Sequence, residues 1–349
     1  MKLDHVGWQV GITYGCNRPG GLDHGYMSSL LDEMEDNGMN LLSLMMLSYG
    51  YFDPEHDGYC WPVKNPKLKC YKDEQAINGI EDKEFVSKVI TEAKSKGIEV
   101  ELFLNWGIWN PAKIKQEYPM SLVQETRKGS ASGWLHCPDS PGAWQLGLDE
   151  VEDLLKCYDL PNVTRYAFER VGYGGHDTCY CKFTRELFED KMGFNILDAS
   201  SKQRQDWKFE RVFNLLKVYV GKIKKVKPGI KVGLHTEGKA AWGHDPNTLK
   251  DAGIDYVQPH TIQFKETKKK LFRKLEHLSP NPCNLHFCAR DQAPSNYPIW
   301  IKTPKIIQKV LGWVKVYPGE NLKGLLFFNE PSVSRRNKNA VYAAIQQFT

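Results

Sequence analysis

Eight strand-like segments alternate with helix-like ones, no long polar linker divides them, and polar residues gather just past the strand ends. Together these predict an α/β fold, a single (β/α)8 TIM barrel spanning residues 1–349 as one catalytic domain. A barrel needs only about 250 residues, which leaves length for long loops after strands 2, 3 and 4. An open doubly wound sheet is the competing arrangement. Against it, Gly15-Cys16-Asn17-Arg18-Pro19-Gly20-Gly21 after the first strand lacks the spacing of a dinucleotide-binding glycine loop.

Taken in order, His5–Gly15 reads as strand one and Leu22–Asn37 as its helix, closed by Gly38. Leu41–Leu47 is a continuous apolar run, the mark of a strand buried on both faces. A long loop from Ser48 to Asn78 precedes helix Asp82–Lys96, stopped by Gly97, and Ile98–Trp106 is strand three. Gly107–Pro141 is irregular and rich in Trp, Pro and Gly; helix Ala143–Cys157 then leads to the run Val163–Phe168, which ends in Glu169. Helices follow at Phe183–Met192 and Asp206–Val226, with Pro228-Gly229 as the break. The second half continues with strand Ile230–Leu234, helix Asn247–Ala252, strand Ile254–Gln258 and helix Glu266–Leu278. Strand Asn284–Ala289, helix Pro304–Val316, strand Leu322–Phe328 and helix Asn337–Phe348 complete the count.

Composition excludes several function classes. The chain is 41% hydrophobic and 26% charged, ordinary for a soluble globular protein with a large core. Its formal charge is +5, and the densest basic run, Lys265–Lys274, alternates with Leu271, Phe272 and Leu275 as the solvated face of one helix, so no nucleic-acid partner is expected. No run approaches the roughly 20 apolar residues of a membrane span, and Met1–His5 is not followed by a signal-like apolar stretch. Nine scattered cysteines fit a reducing compartment, so a cytoplasmic location is expected. A homo-oligomer is compatible with this composition.

The C-terminal ends of barrel strands carry chemistry in this architecture. Those ends supply Tyr14, Asn17 and Arg18; Ser48 and Tyr49; Asn105 and Trp106; Glu169 and Arg170; His235 and Glu237; Gln258 and His260; Arg290 and Asp291; Asn329 and Glu330. Glu169 is the leading catalytic candidate, its alternative being a loop-anchoring ion pair with Arg170 or Arg165. Glu237 and Asp291 are the candidate partners; their alternatives are an N-cap-like contact and a salt bridge to Arg290 or Arg18. Glu330, before Pro331, suits a structural role in the last turn. Glycoside cleavage needs two carboxyl groups flanking one bond, one to protonate the leaving oxygen and one to attack or activate water. Arg18, Asn105, Trp106, His136, Arg170, His235, His260 and Asn329 are candidate substrate contacts, and Trp109, Trp134 and Trp242 could stack on sugars. Arg18, Arg170 and Arg290 hint at an anionic sugar such as a uronate or sialate. The common metallohydrolase signatures are missing, so no metal or other cofactor is expected.

The order Trp134-Leu135-His136-Cys137-Pro138-Asp139-Ser140-Pro141, Tyr158-Asp159, the Glu169 strand, Cys179-Tyr180-Cys181, Phe183 and Gly193-Phe194-Asn195-Ile196 forms a pattern. It resembles barrel glycosyl hydrolases related in fold to the α-L-fucosidase and family 42 β-galactosidase groups. The resemblance implies a glycosidase acting on a carbohydrate. Such proteins often carry a further cysteine three residues after Cys-Tyr-Cys; Thr184 stands there, so a complete cysteine zinc site is not implied, and Cys179 and Cys181 read as loop packing. The family places a nucleophile on strand four in some members and an acid/base there in others, which leaves the role of Glu169 open. The alternative functions are a divalent-metal-dependent sugar isomerase, epimerase or lyase using Glu169, Glu237, His260 and Glu330, and a non-catalytic carbohydrate-binding barrel.

Overall fold

The computed structural model describes residues 2–11, 22–48, 58–71, 84–105, 116–169, 171–261, 267–291, 302–328 and 330–348. Strands β1 (His5–Gly11), β2 (Leu41–Met45), β3 (Glu99–Asn105) and β4 (Val163–Glu169) run parallel in sequence order. They continue into β5 (Lys231–His235), β6 (Tyr256–Val257, resumed at His260–Thr261), β7 (Cys283–Cys288) and β8 (Leu322–Phe328). β8 pairs back onto β1 with His5 opposite Gly324, and β6 reaches β7 through Val257 and Cys283, so the sheet closes as a (β/α)8 barrel.

The helices are α1 (His24–Asp36), α2 (Pro66–Tyr71), α3 (Phe85–Ser95), α4 (Pro141–Cys157), α5 (Lys182–Met192), α6 (Ser201–Val226), α7 (Lys268–His277), α8 (Pro304–Lys315) and α9 (Arg335–Ile345). Their starts are chemically marked. Asp23, Thr267, Thr303 and Ser334 each accept a backbone N–H from the first turn, and Ser200 with Gln203 forms a reciprocal capping box. In α7, Leu271 and Leu275 are buried while Lys268, Lys269 and Lys270 face water, as the basic run suggested.

Strand alternation separates two interiors. Trp8 of β1 points outward and meets the Tyr342 ring of α9 edge-on at 6.2 Å, inside the apolar layer between sheet and helices. Gln9 points into the barrel and donates to the Ser43 hydroxyl. The barrel centre is polar. Glu101 of β3, with no exposed surface, accepts from Ser43 Oγ at 2.7 Å, Tyr256 Oη at 2.5 Å and Gln258 Nε2 at 2.9 and 3.1 Å. Gly233 makes this possible, because a Cβ there would lie 2.3 Å from the Tyr256 ring. A buried carboxylate is tolerated only when its lone pairs are filled. Tyr256→Phe keeps the ring and removes one donor, and should cost about 1–3 kcal/mol in urea unfolding.

Four expectations are corrected. The loop after β2 is not irregular throughout: Leu47–Ser48 pairs antiparallel with Gly58–Tyr59, and α2 follows. The stretch before α4 contains a ribbon, Val123–Glu125 against Ala131–His136, whose short strands lie between turn residues too close together to show a period. Asn247–Ala252 is a succession of turns rather than a helix, and a 3₁₀ turn at Ala240–Trp242 follows β5 instead. Strand six is also split: Pro259 has no N–H to give the ladder, so pairing lapses there and resumes at His260.

Candidate functional site

Above the polar centre lies an apolar floor of Met45, Phe103, Ala167, Cys288 and Phe328, one residue from each of five strands. Glu169 stands above it at the C-terminal tip of β4, in register with His235 at the tip of β5. The Glu169 Oε2–His235 Nδ1 distance is 2.7 Å. His286, on β7, places its Nδ1 3.1 Å from His235 Nε2. The two imidazoles are boxed by aromatic rings: His235 packs edge-on against Phe103 at 5.6 Å and against His286 at 4.8 Å, and His286 tilts on Phe328 at 5.2 Å. Burial, reinforced by His235, pushes the His286 pKa well below the usual imidazole range, so His286 is neutral. Sequence reasoning missed His286. Its position inside β7 reads as core, and only its two-residue offset from Cys288 aligns it with the mouth.

The other predicted carboxylates are engaged elsewhere. Asp291 accepts from Ser334 N at 2.7 Å and from Ser334 Oγ, at the start of α9, instead of pairing with Arg290. Glu237 meets Lys239 Nζ at 2.5 Å and Lys274 Nζ at 3.4 Å; burial raises its pKa, but the two ammonium groups outweigh this and hold it below the usual value. Glu330 is fully buried against Lys338 Nζ and the Tyr26 hydroxyl. Arg165 pairs with Glu99 rather than with Glu169. Among the described residues, Glu237 and Glu330 do not converge with Glu169 on a metal-sized site.

Of the predicted contacts, Asn105 ends β3 in register with Glu169, and His260 of β6 lies in register with His286. The side chains of Asn105, His260 and Trp134, and residues Arg18, Trp106, Trp109, Arg170 and Asn329, lie outside the described residues. His136 is buried at the end of the ribbon, where its carbonyl accepts from Gln124. Trp242 is half-buried under Lys239, 4.9 Å from its ring.

The loop after β4 is fastened from three sides. Gly172, at φ +145°, passes so close to the Trp242 carbonyl that a Cβ would sit 2.4 Å from it. Gln124 donates to Gly172 O and accepts from Gly174 N, a staple that sequence reasoning did not find. Lys208 reaches the carbonyls of Gly175 and His176, with burial lowering its pKa to about 8. Beneath, His244 Nε2 lies 2.7 Å from Val171 O, and its Nδ1 lies 2.6 Å from Thr236 Oγ1. Burial lowers the His244 pKa to about 4. The unfolded chain therefore takes up this proton near pH 6.5 and the folded chain only near pH 4, so stability is lost as pH falls through that interval. The loss should be roughly 3 kcal/mol by pH 4. Urea titrations of wild type and His244→Gln between pH 7 and 4.5 should show a shallower pH slope in the variant.

No family model matches the chain, and no curated protein matches it in sequence. Solved structures do match in fold. The alpha-L-fucosidase isoenzyme 2 from Paenibacillus thiaminolyticus aligns over 99% of this chain and 49% of its own, at 13% identity and a TM-score of 0.67. The beta-galactosidase from the haloarchaeon Halorubrum lacusprofundi aligns over 98% of this chain and 58% of its own, at 13% identity and a TM-score of 0.68. That from Bacillus circulans sp. alkalophilus covers 100% and 56%, at 14% identity and 0.66. The chain shares the barrel fold of these glycosidases. It spans about half to three-fifths of their length. Among the described residues, no helix is long and apolar enough to cross a membrane.

The barrel also carries a buried thiol cluster behind the β4 loop. Cys137, Cys179 and Cys181 bring their sulfurs within 4.8 Å of one another. Burial raises the Cys137 thiol, while hydrogen bonds from Cys137 and Cys179 draw Cys181 lowest of the three. Thr184 Oγ1 lies 3.4 and 3.5 Å from the Cys137 and Cys181 sulfurs and donates to Asp139 Oδ2 at 2.8 Å. Three thiols and one neutral hydroxyl do not make the four-ligand cysteine set of a structural zinc site. Asp139 binds the cluster to its surroundings, accepting also from Tyr173 Oη at 2.9 Å and Arg211 Nε at 2.7 Å.

Proposed function

We propose that this barrel hydrolyses glycosidic bonds and that Glu169 is the ionised carboxylate facing the sugar. The observation that carries this reading is the hydrogen bond between Glu169 and His235 at the C-terminal mouth. In the tautomer that leaves Glu169 ionised, neutral His286 donates from Nδ1 to His235 Nε2, and His235 donates from Nδ1 to Glu169. That chain fixes the carboxylate at the mouth, where it would meet the anomeric carbon or the water that attacks it. The fixed orientation supplies proximity without ordering cost at the moment of reaction.

Glu237 is held ionised by two lysines and Asp291 spends both oxygens on Ser334, so neither is presented as the proton donor in this reading. Similarity in fold to an α-L-fucosidase and to β-galactosidases supports the class of reaction but not the sugar. The test is a screen of aryl glycosides with wild type and Glu169→Gln. Turnover by the wild type that the variant lacks supports the proposal; equal rates in the two proteins would sink it.

A further inference from the structure

Among the described residues two arginines are buried, Arg165 and Arg290, and Arg211 is half-buried. Arg165 bonds to Glu99 and Arg211 to Asp139. Arg290 differs. Only 2% exposed, it keeps Nε and Nη2 without a hydrogen-bond acceptor among the described residues. These two atoms are adjacent donors on one edge of the guanidinium, the edge that meets both oxygens of a carboxylate in a bidentate pair.

The place of Arg290 points the same way. It follows β7 with the same parity as His286 and Cys288, and its guanidinium carbon lies 5.9 Å from the Phe328 ring, which also packs on His286. It therefore stands at the end of the barrel that holds Glu169, across the apolar floor. Among the described residues, the neighbouring carboxylates are committed: Asp291 to Ser334, Glu330 to Lys338 and Tyr26. A buried charge with no partner is costly to the fold, and a ligand that supplies the partner recovers that cost.

We infer that Arg290 is a specificity-determining residue and that the sugar taken at this mouth carries a carboxylate, which Arg290 grips through Nε and Nη2. This rests on the glycoside-hydrolase reading and assigns its substrate class: acidic sugars, with the carboxylate on Arg290 and the anomeric carbon toward Glu169. Arg290→Lys keeps the charge but loses the two-pronged edge. Arg290→Met keeps the bulk and removes the charge.

The test is binding, so it does not depend on turnover. Calorimetric titration of wild type, Arg290→Lys and Arg290→Met with D-glucuronate and D-galacturonate should be set against D-glucose, D-galactose and inorganic sulfate. Wild type should bind at least one uronate about tenfold or more tightly than its neutral parent, and both variants should lose that preference. Without ligand, Arg290→Met should melt at the wild-type temperature or a few degrees above it, since it removes an uncompensated charge. Equal affinity for uronate and neutral sugar, sulfate bound as tightly as the uronates, a preference that survives in Arg290→Met, or a marked fall in its melting temperature would each overturn the assignment. Loss of turnover in Glu169→Gln with no uronate preference would leave the hydrolase reading standing and remove only this one.

Discussion

Glu169→Gln should lower kcat/KM on a cleavable aryl glycoside by roughly 10³-fold or more, with the melting temperature almost unchanged. The amide keeps the shape of the carboxyl and can still accept a hydrogen bond from His235, so packing is preserved while the charge is lost. The leaving group makes the result diagnostic of role. A nitrophenolate departs without being protonated, so an enzyme lacking only its proton donor retains much of its rate on such a substrate. If Glu169 is the attacking carboxylate or the base, the activated substrate gives no rescue. Near-normal turnover of a nitrophenyl glycoside, alongside lost turnover of an alkyl glycoside, would instead make Glu169 the acid. His286→Phe, which keeps a ring beside Phe328 but removes the donor, should then shift the pH profile of kcat without the full loss.

Asp139→Ala should cost about 3–5 kcal/mol of stability, the largest single effect expected away from the mouth. The carboxylate is buried, and its oxygens are shared by Tyr173, Thr184 and Arg211. Burial raises its pKa, and Arg211 is what holds the ionised form in place. Truncation leaves the Arg211 guanidinium without its partner, and the Tyr173 and Thr184 hydroxyls without an acceptor. Chemical denaturation should show a lower midpoint at unchanged slope. A loss below about 1 kcal/mol would mean that water or a neighbouring group replaces the carboxylate.

The barrel was legible because continuous apolar runs such as Leu41–Met45 and capped amphipathic helices leave few other folds. The sixth strand was legible as a strand but not as a broken one, since Pro259 acts through a missing hydrogen bond rather than through hydropathy. Glu169 and His235 could be named because strand tips are identifiable from the strands alone. His286 and Arg290 could not be weighed correctly, because their importance depends on what faces them across the barrel. Asp291 and Glu237 show the same limit from the other side: each has the right residue type near the right strand end, and Ser334 and two lysines, distant in sequence, engage them. Asp139 was visible only as part of a motif, because its partners come from the β4 loop, α5 and α6.

The break in β6 carries one more consequence. Because that strand consists of two short pieces, the cylinder is closed on this side by few ladder bonds, and the His235–His286 contact spans from β5 to β7 directly over the gap. The pair that orients Glu169 is thus also a clasp on the barrel wall. Scaffold and candidate site are joined at one contact, so a change at His235 or His286 would disturb the frame as well as Glu169.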